Sequence, residues 1–259
     1  MPARTYGDAP YSVAVIHGGP GAAGEMSAVA RELSGERGVL EPLQTACSVE
    51  AQIEELRDTL QAQASLPAIL VGFSWGAWLS CLLAERNPQC VRKLILVSSG
   101  PFEERYAVRI MDTRLKRLDQ RQRAEADELM VILNKGRAED RNSAFARFGA
   151  LFSRTDAFDP LPEEGTSVDF REDIFQSVWP QADRLRSSGE LLRLAGRIKC
   201  PVVAIHGEHD PHPAEGVNKP LTAVVQDFRF IQLESCGHKP WIERQAREAF
   251  YYILKEELR

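Results

Sequence analysis

The chain has 259 residues, 44% apolar and 27% charged, with a formal net charge of -5; this size and balance fit one α/β domain carrying an insertion and exclude the disordered and fibrous classes. It has no electrostatic footprint for nucleic acid or anionic lipid, because the one basic segment, Arg114 to Arg123, is interrupted by Leu115, Leu118 and Asp119 in the manner of a solvated helix face. Five cysteines (Cys47, Cys81, Cys90, Cys200 and Cys236) with no CxxC pair, no signal-peptide pattern at the N-terminus and no apolar run near the roughly 20 residues that cross a bilayer point to a soluble protein of a reducing cytoplasm, with no membrane partner.

The first recognisable strand is Ser12 to Ile16, ending in a Gly-rich turn; a helix from about Gly24 to Leu33 stops at Ser34-Gly35, and Gly38 to Leu43 is a weak strand. Val49, Ile53, Leu56 and Leu60 recur at helical spacing behind Ser48, an expected N-cap. Ala68 to Val71 is the next strand, and the helix after it, about Ser74 to Glu85, is apolar nearly all round, which implies a central buried helix. Lys93 to Val97 forms another strand, broken by Ser98-Ser-Gly-Pro101. From there to about Gly196 helical periodicity dominates, with helices over Tyr106 to Leu118, Arg123 to Leu133 and Glu139 to Ser153, a Pro- and acid-rich loop over Thr155 to Gly165, and no convincing strand. The rhythm of strands resumes at Cys200 to Ile205 and Phe228 to Leu233 and closes with a helix from about Trp241 to Glu257. The expected organisation is an α/β core in two parts, 1–100 and 197–259, around a helical cap at 101–196.

Gly72-Phe-Ser-Trp-Gly76 is a GxSxG sequence between a strand and a helix. A serine hydroxyl is a poor nucleophile unless it is held in a strained, exposed turn beside a base, and flanking glycines let strand and helix approach around that turn. Ser74 is therefore the candidate nucleophile, and the backbone N–H of Trp75, at the helix N-terminus, a candidate oxyanion donor. His17-Gly-Gly-Pro-Gly21 follows the first strand; Gly19 is the candidate second donor, Gly18 stands close behind it, and His17 reads as a structural hydrogen-bonder of that loop. His238 lies just after the last strand and Asp210 just after the strand before it, so that Ser74, Asp210 and His238 supply nucleophile, orienting acid and base. Glu208 and Glu103 are rivals for the acid. His206, His209 and His212 beside Asp210 match no zinc signature, so no metal is expected, and Cys81 and Cys236 read as core residues without an activating base.

On His17 to Gly21, Gly72 to Gly76, the Gly207 to Asp210 turn and Gly237-His238, the chain resembles the α/β-hydrolase superfamily, within it the capped members related to proline iminopeptidases and C-C bond hydrolases. The resemblance covers about 160 residues of core and implies a mostly parallel sheet with helices on both faces, a lid inserted after the sixth strand of eight in full-length relatives, a serine nucleophile and no cofactor. Only about eleven residues precede the first strand, so the N-terminal hairpin is expected to be missing or reduced and the sheet to have about six strands. Gly38 to Thr45 also lacks the Asp-x-Arg-Gly-x-Gly loop usual in iminopeptidases.

The expected function is hydrolysis of an ester-like or other acyl bond in a small to medium small-molecule substrate, with Phe73 or Trp75 bordering the pocket and Phe145, Phe148 and Phe152 forming one face of a cap helix. The rivals are a catalytically silent ligand-binding protein of the same fold, and lyase, acyltransferase or cofactor-free peroxidase chemistry at the same site.

Overall fold

Strands buried on both faces place successive side chains in alternate layers, and this chain does so strand after strand. Ala14, Ile16, Leu70, Leu94, Leu96 and Ala204 enter one apolar cluster, while Val13, Val15, Val71, Ile95, Val97 and Ile205 enter another on the opposite face. The computed structural model describes residues 2–135, 138–162 and 168–259.

In chain order the elements are β1 (Ala3–Tyr6), β2 (Tyr11–Ile16), β3 (Ala22–Ala23), α1 (Ser27–Leu33), β4 (Gly38–Pro42), α2 (Val49–Gln63), β5 (Ala68–Phe73), α3 (Trp75–Arg86) and β6 (Val91–Val97). Then follow α4 (Glu104–Ala107), α5 (Ile110–Lys116), α6 (Gln120–Lys135), α7 (Ala138–Asp156), β7 (Asp169–Phe170), α8 (Glu172–Ser187) and α9 (Glu190–Ala195). The chain ends with β8 (Val202–Gly207), α10 (Glu215–Val224), β9 (Phe228–Leu233) and α11 (Arg247–Glu257). Seven strands form one sheet in the order β1-β4-β2-β5-β6-β8-β9, parallel except for β1. Helix α3 buries ten consecutive residues, Trp75 to Ala84, as its all-round apolarity predicts. Ser48 caps α2, its hydroxyl accepting from the Ala51 N–H at 3.1 Å.

The sheet has seven strands where the sequence suggests about six. The added strand is β1, which pairs antiparallel with β4 at the sheet edge. It has no buried residue to announce it; it is held by its backbone ladder and by the Tyr6 hydroxyl donating to Glu41 at 2.6 Å. The helix expected over Tyr106 to Leu118 is two shorter ones, α4 and α5. The segment between β6 and β8 also holds one strand that periodicity did not reveal, β7, which pairs with β3 from the loop after β2; each has two residues and so is too short to carry a pattern. Helices α8 and α9 pack into the same apolar cluster as α3 through Ile174, Val178, Leu191 and Ala195. Among the described residues no helix is long and apolar enough to cross a membrane.

Candidate active site

In open parallel sheets the crevice outside the carboxyl ends of the strands, where neighbouring connections run in opposite directions, is the natural place for a site. Here β2 lies between β4 and β5. The loops after β2, β5, β8 and β9 carry, in turn, Gly18 and Gly19, Ser74, Asp210 and His238.

Ser74 stands between β5 and α3 at φ 51, ψ -114, a left-handed conformation that is costly for a residue with a Cβ. Its backbone N–H donates to the Val97 carbonyl of β6 at 3.0 Å. Two glycines make the turn possible: a Cβ on Gly76 would lie 2.2 Å from the Ile16 carbonyl oxygen, and one on Gly72 would lie 2.4 Å from that of Gly76. Trp75 is the first residue of α3, where the geometry of a helix leaves the backbone N–H without an intrahelical partner. Its indole points away from the cavity and donates to Gln44 and Gln52 at 3.0 and 3.1 Å. Gln44 in turn holds the loop after β2, its backbone N–H donating to His17 Nε2 and its side chain to the His17 carbonyl, each at 3.1 Å. His17 Nδ1 donates to the Gly18 carbonyl at 2.8 Å. Gly19 sits at φ 34 and faces the cavity, whereas Gly18 lies beneath it with no room for a Cβ, which would meet the Phe73 ring at 2.7 Å.

Asp210 is buried, and three imidazoles surround it. Oδ2 accepts from His238 Nδ1 at 2.7 Å; Oδ1 accepts from His212 Nδ1 at 2.8 Å and from the His212 backbone N–H at 2.9 Å. His206 Nε2 is 3.5 Å from Oδ2 and donates to the His212 carbonyl at 2.8 Å. Burial acts to raise the Asp210 carboxyl, but the summed attraction of His238, His212 and His206 outweighs it and holds the group well below the usual carboxylate range. Burial likewise acts to lower His238, and the charge and hydrogen bond of Asp210 reverse this, leaving the imidazole above its ordinary value. For His212 burial wins, pushing it down to about 4, so this ring is neutral at physiological pH. The ligand atoms of Asp210, His212 and His238 lie within 4.8 Å of one another. At 2.7 and 2.8 Å the two imidazole–carboxylate contacts are hydrogen bonds, and they already occupy both Asp210 oxygens.

Ser74 and His238 face one cavity of about 560 Å³, whose apolar wall includes Phe73, Phe152, Phe170 and Ile242. Phe73 also packs against His238, the rings tilted by 49° with centres 4.8 Å apart. Phe152 is both packed and pocket-facing, meeting Phe148 edge-on at 4.4 Å; the Phe145 side chain and part of the loop at 155–165 lie outside the described residues. The expected rivals fall elsewhere: Glu103 pairs with Arg105 at 2.7 Å, and Glu208 is exposed beyond β8. His209 packs against Phe158. Burial pushes the thiols of Cys81 and Cys236 up, away from the thiolate form.

Three features of the site are not announced by any motif, although His212 is visible in the sequence as a neighbour of Asp210. His212 joins Asp210 through a contact only two residues long, which no spacing rule flags. Arg114, on α5, forms a two-pronged pair with Asp156 at the end of α7, at 2.8 and 2.5 Å, and the Asp156 carbonyl accepts from the His238 backbone N–H at 2.8 Å. Glu243 is fully buried and accepts from the backbone N–H groups of Phe158 and Gly237, both at 2.9 Å, and of Asp159 at 2.8 Å, tying the loop after α7 to the loop that carries His238. A lone glutamate in a helix-like run gives no sign of this.

The model of a family described as the alpha/beta hydrolase family matches residues 13–251. A pimeloyl-[acyl-carrier protein] methyl ester esterase of Chromobacterium violaceum is 24% identical over 212 residues, 79% of this chain and 75% of that protein. Among solved structures, VinJ superposes with a TM-score of 0.72 at 19% identity, covering 99% of this chain and 93% of that one. The proline iminopeptidase of Mycobacterium smegmatis superposes with a TM-score of 0.62 at 19% identity, covering 99% and 93%.

Proposed function

The chain belongs to the alpha/beta hydrolase family, and from that premise we propose that it is a cofactor-independent serine hydrolase cleaving an ester-like or other acyl bond of a small to medium substrate. The observation that carries this is the placement of Ser74, in a left-handed turn, and His238, hydrogen-bonded through Nδ1 to a buried Asp210, on one cavity. Ser74 Oγ attacks the substrate carbonyl and gives its proton to His238 Nε2; Asp210 fixes the tautomer that leaves Nε2 as the acceptor and stabilises the imidazolium. Negative charge on the tetrahedral oxygen is met by the N–H groups of Trp75 and Gly19. His238 then protonates the leaving group, and water, deprotonated by the same imidazole, releases the acyl group from Ser74. The segment 101–196 acts as a cap over this cavity, supplying the wall at Phe152 and Phe170. Free thiols at all five cysteines agree with work in a reducing cytoplasm. A carboxylic ester is the first bond to screen, because the similar Chromobacterium protein is a methyl ester esterase.

The test is labelling by a fluorophosphonate probe of the wild type, Ser74→Ala and His238→Ala, with circular dichroism to show that all three are folded. Labelling is expected to vanish in Ser74→Ala and to fall at least about a hundredfold in His238→Ala. A folded wild type that resists fluorophosphonates, and smaller sulfonyl fluorides as well, overturns the hydrolase reading in favour of ligand binding.

A further inference from the structure

His238 is held on three sides. Phe73 packs against its ring with centres 4.8 Å apart and the planes tilted by 49°, His212 stacks on it at 4.5 Å with the planes 29° apart, and Asp210 accepts the hydrogen bond from its Nδ1–H. His212 is engaged twice in this arrangement, through its ring and through the carboxylate, yet the proposed reaction assigns it no step. Both of its donors fall on Oδ1, and His238 has Oδ2. Its carbonyl is in turn fixed by His206 Nε2, a buried ring on β8, so the turn from Asp210 to His212 is anchored to the sheet.

We propose that His212 is a positioning residue that acts through Asp210: its Nδ1–H and backbone N–H fix Oδ1 so that Oδ2 is presented to His238, while its ring sets the plane of the His238 imidazole. This rests on the hydrolase reading for its catalytic meaning, but the geometry it describes belongs to the Asp210–His238 pair itself.

The sign of the effect follows from charge. Each donor on a carboxylate draws negative charge from the oxygen that remains, so the Nδ1–H of His212 weakens the hold of Oδ2 on the His238 proton. The other charges near His238 stay in place when His212 is changed: Asp156 at the end of α7 favours the protonated ring and Arg114 on α5 disfavours it. Asp210 is held so far below the usual carboxylate range that losing one donor leaves it ionised. Removing the donor must therefore raise His238. A ring without a donor, His212→Phe, keeps the stack and loses the hydrogen bond; a donor without a ring, His212→Asn, places its amide N–H near the lost Nδ1–H.

The experiment follows the His238 ring by ¹⁵N NMR through a pH titration, and in parallel the pH dependence of the fluorophosphonate labelling rate, in the wild type, His212→Phe and His212→Asn. In His212→Phe both the titration of His238 and the acid limb of labelling are expected to move up by about half a unit to one unit, the size of one hydrogen bond to a charged group shared between two sites. His212→Asn is expected to return both close to the wild-type position. Should His212→Phe not fold, His212→Ala, which also lacks the donor, carries the same expectation for the titration. Equal His238 titrations in the wild type and in the variant lacking the donor overturn the proposal, whatever the variants do to melting temperature. A wild type that is never labelled refutes the hydrolase reading alone, because the NMR titration still decides the role of His212.

Discussion

Around the cavity, the carboxyl edge of the sheet is fixed by backbone crowding, whereas the segment between β6 and β8 adds apolar side chains to the wall along with a few backbone contacts. At the sheet edge, Gly76 packs against the Ile16 and His17 carbonyls, and the loops that carry Ser74 and Gly19 owe their shape to such contacts. In the insertion, Arg114 and Asp156 pair with each other, Phe152 and Phe170 form apolar wall, and the backbone meets the core at the short β3–β7 ladder and at single bonds such as that from the His238 N–H to the Asp156 carbonyl. The proposed reacting groups thus sit on crowded loops, while part of the apolar wall of the cavity comes from the insertion. This division can be broken from either side.

The largest expected effect is at the crowded edge. In Gly76→Ala the new methyl lies 2.2 Å from the Ile16 oxygen and 2.6 Å from the His17 oxygen, both backbone atoms of the sheet and its first loop. Neither can move without unpairing β2, so the variant is expected to lose about 3 kcal/mol or more of stability and all fluorophosphonate labelling. A folded, labelled Gly76→Ala would show that the turn is not held by crowding.

Glu243 tests the seam between the two regions. Truncation in Glu243→Ala strips three backbone N–H groups, the buried one of Gly237 and the part-buried ones of Phe158 and Asp159, of their acceptor. A buried donor without a partner costs about 1–3 kcal/mol, and partial solvation of the new space brings the sum to about 3 kcal/mol, roughly 8 °C in melting temperature for a chain of this size. Because Gly237 precedes His238, labelling should fall about tenfold as well. An unchanged rate with a lowered melting temperature would place the seam outside the site.

These two residues also mark what the sequence made legible. Gly76 belongs to a motif whose strand, turn and helix were readable, because a parallel strand buried on both faces is a continuous apolar run and the following helix, buried all round, has no polar stripe. Asp210 was readable as a residue just past such a strand, β8, and His238 as one just past the half-buried edge strand β9. Glu243 was not: its partners are backbone groups up to 85 residues away, and main-chain donors leave no mark on composition. Edge strand β1 and the pair β3–β7 were missed for a related reason, since two or four residues stabilised by a ladder have no periodicity to detect.

A smaller effect concerns pH. In the proposed reaction His238 must be neutral to accept the Ser74 proton, and its imidazole stands above the ordinary value of 6.5. Labelling should therefore rise tenfold per unit with pH and level off only above about pH 6.5. The sign for stability is opposite: a histidine raised in the folded state contributes stability fully below its unfolded value, and that contribution is lost as pH rises through the folded one. An acid limb well below pH 6.5 would mean that Asp210 does not control this ring.

The smallest expected effect lies in the insertion. Phe170 is 39% exposed, lines the cavity and pairs through its backbone with Ala22. Phe170→Ala removes wall area but leaves the backbone ladder, and with it the course of the loop that carries Gly19. For a side chain already in partial contact with water the loss of apolar contact is about 1 kcal/mol, a fivefold change in binding. With any ester the wild type hydrolyses, KM should rise about fivefold for a substrate with a bulky acyl group and kcat should stay within a factor of two, because the contact is made equally in the ground and transition states. A fall in kcat at constant KM would mean instead that the Phe170 side chain helps hold Gly19 in place, so that the insertion takes part in stabilising the oxyanion and the contrast between a reacting edge and a shaping insertion fails at β3–β7.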